Sequence, residues 1–300
     1  MNRFVVTALA LSVSACGGAG GPGAVSFVQG NAASTGYAKA GDTIANAAPG
    51  TKFSAQVSGI RLRSNRSTGV VTSQARNLTG TVEFTDDPQV IFLTINGERH
   101  RLDYDVSSDE FSMESSNRLV GVNFLSQLDF SALALLTDLV ISGNISTADL
   151  AHAVSGYNTD PATLPDLPAA AYSGHSSALV FGTTGDATYY ADGDLALQAN
   201  FAGSEISGDM FLLVDDLNGN SVGTIRVALP SSSIVDNTFA GTASVTNTVP
   251  ELNLSSAAVQ GAFYGNEAQE IGGTFAGSGS ASTTSGSVPI KMQGGFLGSK

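Results

Sequence analysis

The segment that looks most like a catalytic site is Gly174-His175-Ser176-Ser177-Ala178, where a serine follows a histidine close behind a glycine. A hydrolase nucleophile elbow needs that serine on a strand-to-helix turn, with histidine and acidic partners later in the chain. No histidine follows His175, so Ser176 lacks a base in sequence and the segment reads as the start of a strand. His100, His152 and His175 are the only histidines, spread over both halves without ligand spacing, and no second cysteine joins them. No metal site and no cofactor is expected. Asp215-Asp216-Leu217-Asn218-Gly219-Asn220 has the oxygens of a calcium loop, but Val227 stands where the closing glutamate would be, and a hairpin turn is the better reading. Tyr189-Tyr190 beside Asp192 and Asp194, and Tyr264 further on, could offer aromatic contacts to a partner, but packing is the more common use of such residues. Arg61, Arg63 and Arg66 form the one local basic cluster, a ligand contact or, more commonly for such a run, a solvated strand face.

Chemistry of another kind is written at the N-terminus. Met1-Asn2-Arg3 supplies one positive charge, and the apolar run from Phe4 to Leu11 is too short for a permanent transmembrane helix, which is the layout of a secretory signal. It ends in Val13-Ser14-Ala15-Cys16, which resembles the bacterial lipobox, a small residue ahead of a cysteine that is lipidated before cleavage. Cys16 is the sole cysteine, so it cannot form an internal disulfide in an exported chain. The expectation is a signal peptide over 1–15, a palmitate-type lipid on Cys16, and a tether over 16–36, where Gly17 to Gly23 holds five glycines in seven residues. Gly17 is not the aspartate that retains such lipoproteins at an inner membrane. The resemblance therefore points to the outer membrane, with the cell surface favoured over the periplasmic face.

The elements behind these residues read as strands. Gly is 35 of 300 residues, Trp is absent, and Ser and Thr are plentiful, which favours many short strands with tight turns: a mainly β chain. The formal charge of −13 argues against nucleic acid as a partner. Leu195, Leu197, Ala199 and Phe201 alternate with polar or small residues, and Ile206, Met210, Leu212 and Val214 continue the pattern beyond a Gly203-Ser204 turn. Asn218-Gly219 predicts a two-residue turn into a strand over 222–229. The clearest hairpin is 89–104, with Asn96-Gly97 at its tip. Segment 119–154 stays open: Phe124, Leu125, Leu128, Leu135, Leu136, Leu139 and Val140 also suit a buried helix, which Ser146-Thr147 could cap. Three prolines between 157 and 168 mark a division near 168, giving domains over 37–168 and 169–300.

Several motifs near and beyond that division resemble the transferrin-binding protein B-like surface lipoproteins, which include the factor H-binding proteins of Gram-negative bacteria. Gly156-Tyr157-Asn158-Thr159, Leu164-Pro165 and Ala171-Tyr172-Ser173-Gly174 resemble the family's passage into its C-terminal barrel. Gly261-Ala262-Phe263-Tyr264-Gly265-Asn266-Glu267-Ala268-Gln269-Glu270-Ile271-Gly272-Gly273-Thr274-Phe275 resembles its most recognisable motif, with Asn266 where many relatives have proline. Gly295-Phe296-Leu297-Gly298-Ser299-Lys300 approximates the usual close. The resemblance implies an eight-stranded antiparallel barrel over 169–300 behind a β-rich, handle-like N-terminal domain. Gly261, Phe263, Tyr264, Gly265, Glu270, Gly272, Gly273 and Phe275 are expected to be structural: Phe263 and Phe275 as core or rim aromatics, Gly272-Gly273 as a bend or bulge. It further implies a non-enzymatic lipoprotein that binds a protein or an iron- or haem-related ligand through loops or at the domain seam. A structural or assembly role in the envelope, without a captured ligand, is the alternative.

Overall fold

The computed structural model describes residues 37–300 apart from 40, 69, 183–187 and 285, so the signal, Cys16 and the tether lie outside the described residues. Two antiparallel sheets follow one another along the chain. The first contains β1 (Lys52–Asn65), β2 (Val70–Phe84), β3 (Val90–Ile95), β4 (Glu98–Asp105), β5 (Glu110–Glu114), β6 (Arg118–Gln127), β7 (Ser131–Ser142) and β8 (Ile145–Gly156). The second contains β9 (Ala170–Gly182), β10 (Thr188–Asn200), β11 (Glu205–Asp216), β12 (Ser221–Val235), β13 (Thr238–Asn247), β14 (Leu252–Tyr264), β15 (Glu270–Thr283) and β16 (Gly286–Ser299). Each runs up and down in chain order and closes on itself. The first closes through only six pairs, from Ile60 opposite Leu150 to Asn65 opposite Ile145. The second closes through ten, from Ile290 opposite Gly182 to Ser299 opposite Ser173. Helical structure among the described residues is confined to two 3₁₀ turns, Ile44–Asn46 and Leu164–Asp166.

Period-two alternation fills the second barrel. Leu195, Leu197, Ala199, Met210, Leu212, Val214, Ile225 and Val227 are buried in one core with Phe263, Phe275 and Phe296. The first barrel has a smaller apolar core around Leu78, Ile91, Leu93, Leu102, Val120, Val122 and Leu136. One of its two-residue turns is the expected one, with Asn96 and Gly97 at φ 52° and 85°, the left-handed pair of a type I′ hairpin. The open segment 119–154 resolves as β6, β7 and β8, and Ser146-Thr147 lies inside β8 rather than capping a helix.

Two local expectations are corrected. Asn218-Gly219 is not a two-residue turn: the strands stop at Asp216 and Ser221, and at the loop between them only Gly219 takes a positive φ, 80°. The Asp216 carboxylate closes this loop by accepting the N–H groups of Asn218 and Asn220 at 2.8 and 2.9 Å, which is what the calcium-like run is for. Gly272-Gly273 is not a bulge, because β14 and β15 stay in continuous register from Ala257 opposite Gly277 to Tyr264 opposite Glu270. The shift in that pair lies between Leu254 and Ala257.

Candidate functional site

The motif hairpin of β14 and β15 is built to face two ways. Phe263, Ile271 and Phe275 point into the second barrel. The alternate residues Ala262 and Tyr264 point outward, into a cluster with Leu297 of β16 and Leu133 and Val154 of the first barrel. Strand alternation thus makes one hairpin serve both a core and the seam between barrels. Gly272 explains itself on that outer face: a Cβ there would stand 2.7 Å from Cγ1 of Val154 and 2.9 Å from Cδ1 of Leu297. Gly295 does the same on β16, where a Cβ would overlap Leu133 and come within 3.1 Å of the His152 Cβ. The first barrel's side chains occupy the space these glycines leave. Further along, Ile60, Leu62 and Ala148 pack on Leu179 and Phe181 of β9.

Buried polar groups fix the register of the seam. Glu270, only 3% exposed, accepts the Phe130 N–H at 3.0 and 3.1 Å and the Ser131 hydroxyl at 2.6 Å. Burial lifts its carboxyl above the usual range, opposed by the Ser131 and Phe130 donors. The linker crosses the same hairpin: Thr159 donates its N–H to the Phe263 carbonyl (3.0 Å) and its hydroxyl to the Gly265 carbonyl (2.6 Å), while the Gly265 N–H donates to Tyr157 (2.9 Å). Asn266, at the position where many relatives carry proline, accepts from the Gln269 amide at 2.5 Å and so ties the same loop with a side chain. On β8, His152 Nε2 lies 2.9 Å from Ser177 Oγ, both fully enclosed. Burial, then the nearby His175, pushes the His152 ring down to about 3, so it is neutral at physiological pH.

The residues singled out from sequence scatter. Ser176 is buried in β9 facing the second barrel, its hydroxyl donating to the Asp194 carbonyl at 3.2 Å. The serine that does meet a histidine is its neighbour Ser177, but the pair is sealed in the seam, without substrate access. The three histidines do not converge: His100 belongs to the first barrel, His152 to the seam, and His175 sits 3.1 Å from Asp192 on the outside of the second barrel. Among the described residues no group of His, Cys, Asp and Glu could hold a metal. Tyr264 is buried in the seam and presents nothing to a partner, whereas Tyr190 is exposed and donates to Asp192 at 3.3 Å.

The arginine cluster is corrected at Arg61, while Arg63 and Arg66 are exposed as expected. Because Ile60 and Leu62 face the second barrel, Arg61 between them points into the lumen of the first, where it grips Asp149 of β8 with two bonds of 2.7 and 2.6 Å. Arg66 donates to Ser146 Oγ at 3.1 Å across the same closure. Arg118 on β6 pairs with Asp138 (2.9 and 3.0 Å) and Glu98 (2.7 Å), extending the charged end of the lumen. The opposite end holds an apolar cavity of about 40 Å³ lined by Ile44, Phe53, Phe84, Phe124 and Leu136. That is far below the roughly 300–1,000 Å³ of small-molecule sites. Sequence reasoning missed the seam contacts because their partners lie 139 residues apart for Ser131 and Glu270 and 25 for His152 and Ser177.

Two closed barrels meet at a seam of packed apolar side chains into which Gly272 and Gly295 fit. Residues 164–291 match the family model described as the C-lobe and N-lobe beta barrels of Tf-binding protein B. The second barrel is therefore a transferrin-binding protein B-like barrel, as its motifs predicted, and a family named for a binding protein supports a non-enzymatic role. Among solved structures, a mutant of Transferrin Binding Protein B from Haemophilus parasuis Hp5 is 17% identical, with a TM-score of 0.44 over 83% of this chain and 52% of that one. The isotype 1 protein from serogroup B Neisseria meningitidis is 16% identical, TM-score 0.38, over 82% and 50%. HpuA from Kingella denitrificans, solved in complex with human haemoglobin, is 13% identical, TM-score 0.32, over 88% and 90%. The chain spans about half the length of the transferrin-binding protein structures it matches. No curated protein matches its sequence.

Proposed function

We propose that the chain is a lipoprotein, anchored through Cys16 in the outer membrane and displayed at the cell surface, which binds a protein or an iron- or haem-related ligand through loops on its barrels. The observation that carries this reading is the match of residues 164–291 to the Tf-binding protein B barrel. The lipobox-like Val13-Ser14-Ala15-Cys16 and the glycine-rich stretch after it support the anchor. Two barrels whose lumens are filled by their own side chains leave the turns and the outer faces for contact with a partner.

Anchoring is tested by radiolabelled fatty acid. The wild type should incorporate label and stay in membranes, and Cys16→Ala should lose both; retention of both by the variant would remove the anchor from the proposal. Protease added to intact cells should then remove the region after residue 24, and protection until the outer membrane is broken would place it on the periplasmic side. Binding is tested with immobilised transferrin and haemoglobin against the full-length chain carrying Cys16→Ser. Saturable capture of either supports the ligand reading. Capture of neither, together with one stable envelope partner in both iron-starved and iron-replete cells, would make the assembly role the better account.

A further inference from the structure

On the second barrel, the outer faces of β10 and β11 carry a patch that no loop contributes to. Tyr190, Phe211 and Leu213 are 38%, 49% and 56% exposed. They are neighbours by register, with Tyr190 opposite Asp215, Asp192 opposite Leu213 and Asp194 opposite Phe211. Directly opposed residues on one face of an antiparallel pair lie roughly 4.5–5.5 Å apart, so the three apolar side chains and three carboxylates make one checkerboard. The other strongly exposed large hydrophobics among the described residues, Tyr37, Val70, Val106, Leu217 and Val235, lie in loops or at strand ends. Single exposed apolar residues are ordinary, but aromatic and aliphatic side chains gathered on one strand face and ringed by one sign of charge are the make-up of an interface.

The surrounding charge narrows the partner. Asp192 and Asp215 are close enough to Tyr190 to push its hydroxyl up, after the larger effect of burial. Asp209 and Arg226 neutralise one another through two bonds of 2.9 Å, so the patch keeps the charge of the other carboxylates, apart from what His175 offsets at Asp192. Past Arg226, opposite Phe211, the same side of the barrel dips into a groove of about 610 Å³ lined in part by Pro230, Thr242, Ser244 and Ser256. The groove lies where β12 and β13 lose register between Ala228 and Ile234. A second copy of this chain, with its charge of −13, is repelled here, and so is an anionic membrane.

We propose that this strand face is a docking surface for a protein whose own surface sets two or three Lys or Arg side chains around an aliphatic cluster. The partner's apolar centre covers Phe211 and Leu213, and its cations meet Asp192, Asp194 and Asp215. The contact is separate from the loop-borne binding proposed above, and it stands or falls without transferrin or haemoglobin.

The test uses the full-length chain carrying Cys16→Ser and three 12-residue peptides: alternating Lys and Leu, alternating Lys and Ser, and alternating Glu and Leu. The Lys-Leu peptide should bind saturably, slow amide exchange over 190–194 and 209–215, and weaken as salt rises. Phe211→Ser/Leu213→Ser and Asp192→Asn/Asp194→Asn/Asp215→Asn should each weaken it at least tenfold. The other two peptides should bind at least tenfold more weakly than the Lys-Leu peptide. Phe211, Leu213 and Asp194 are exposed and Asp192 and Asp215 half-exposed, so unchanged circular dichroism and thermal midpoints are expected to show intact barrels. Equal binding of the Lys-Ser peptide would reduce the effect to net charge and overturn the proposal. So would protection elsewhere on the chain, or parent-like affinity in both variants.

Discussion

The second barrel fills its lumen chiefly with apolar side chains, with Phe239, Phe263 and Phe296 in ring contact at centroid distances of 5.8 and 6.3 Å. The first divides its lumen into an apolar end and an end of paired charges, Arg61 with Asp149 and Arg118 with Asp138 and Glu98. It also spends much of its apolar surface outward: Ile60, Leu62, Leu133, Ala148 and Val154 cover the second barrel rather than its own interior. One barrel is thus held by a core it owns, the other by a smaller core plus a seam it shares. The first should be the less independent of the two, with stability that depends on side chains belonging to its neighbour.

The severest test of that contrast is Gly273→Val, at the heart of the self-sufficient barrel. A Cβ there would overlap the Gln260 carbonyl oxygen and stand 2.6 Å from Cζ of Phe296, with backbone on one side and a packed ring on the other. Neither yields cheaply, and a loss of about 3 kcal/mol or more is expected in urea denaturation. Amide exchange should show both barrels failing together, since the first loses its support. Protection retained in the first barrel would show that it folds alone.

Glu270→Ala attacks the seam and spares both cores. It strands the Phe130 N–H and the Ser131 hydroxyl, now enclosed without their acceptor. Leaving buried donors without their acceptor costs about 1–3 kcal/mol. The loss should fall on the first barrel, whose amides exchange faster while those of 195–199 and 210–214 keep their protection. Uniform loss across both barrels would mean that the molecule unfolds as one unit and that the asymmetry is only geometric.

His152 adds a pH dependence to the same seam. Its ring titrates at about 3 when folded, chiefly through burial, against about 6.5 in an unfolded chain. The unfolded state therefore binds the extra proton between those values, and stability falls as pH drops through that window. From pH 7 to pH 5 this one group should remove about 2 kcal/mol. His152→Gln, which keeps a donor for Ser177, should flatten the profile by that amount. A profile unchanged by the substitution would mean that His152 is solvated and that the seam opens readily.

How much of this was legible in the sequence follows from where each apolar residue points. β10 and β11 have one buried face and one largely wet face, so Leu195, Leu197, Met210 and Leu212 announce themselves at period two. In β7 and β8 one face fills the first barrel and the other lies against the second, so burial runs on through consecutive residues and the strand period disappears. That is why segment 119–154 suited a helix equally well. Glu270, Gly272 and Tyr264 were visible as motif residues, but their task was not, because their partners Phe130, Ser131 and Val154 carry no local signal. Arg61 looked like solvated charge because a basic residue in a strand gives no hint that an aspartate waits across the closure.

That closure permits the finest comparison, between charges inside the first barrel and charges outside it. Arg61 and Arg101 both make carboxylate pairs, at 2.6 Å with Asp149 and at 2.9 Å with Asp103. Asp149 is nearly buried, whereas both members of the second pair are more than half exposed. Breaking a fully buried pair costs about 3–5 kcal/mol, and since Arg61 itself keeps about a third of its exposure, Arg61→Ala should cost about 1–3 kcal/mol. Arg101→Ala should stay within about 0.5 kcal/mol, since water already solvates both ions. A double replacement, Arg61→Met with Asp149→Leu, separates electrostatics from closure: stability near the wild type would show that the six-pair ladder needs only a filled lumen. A loss as large as that of Arg61→Ala alone would show that the forked arginine itself sets where β1 meets β8.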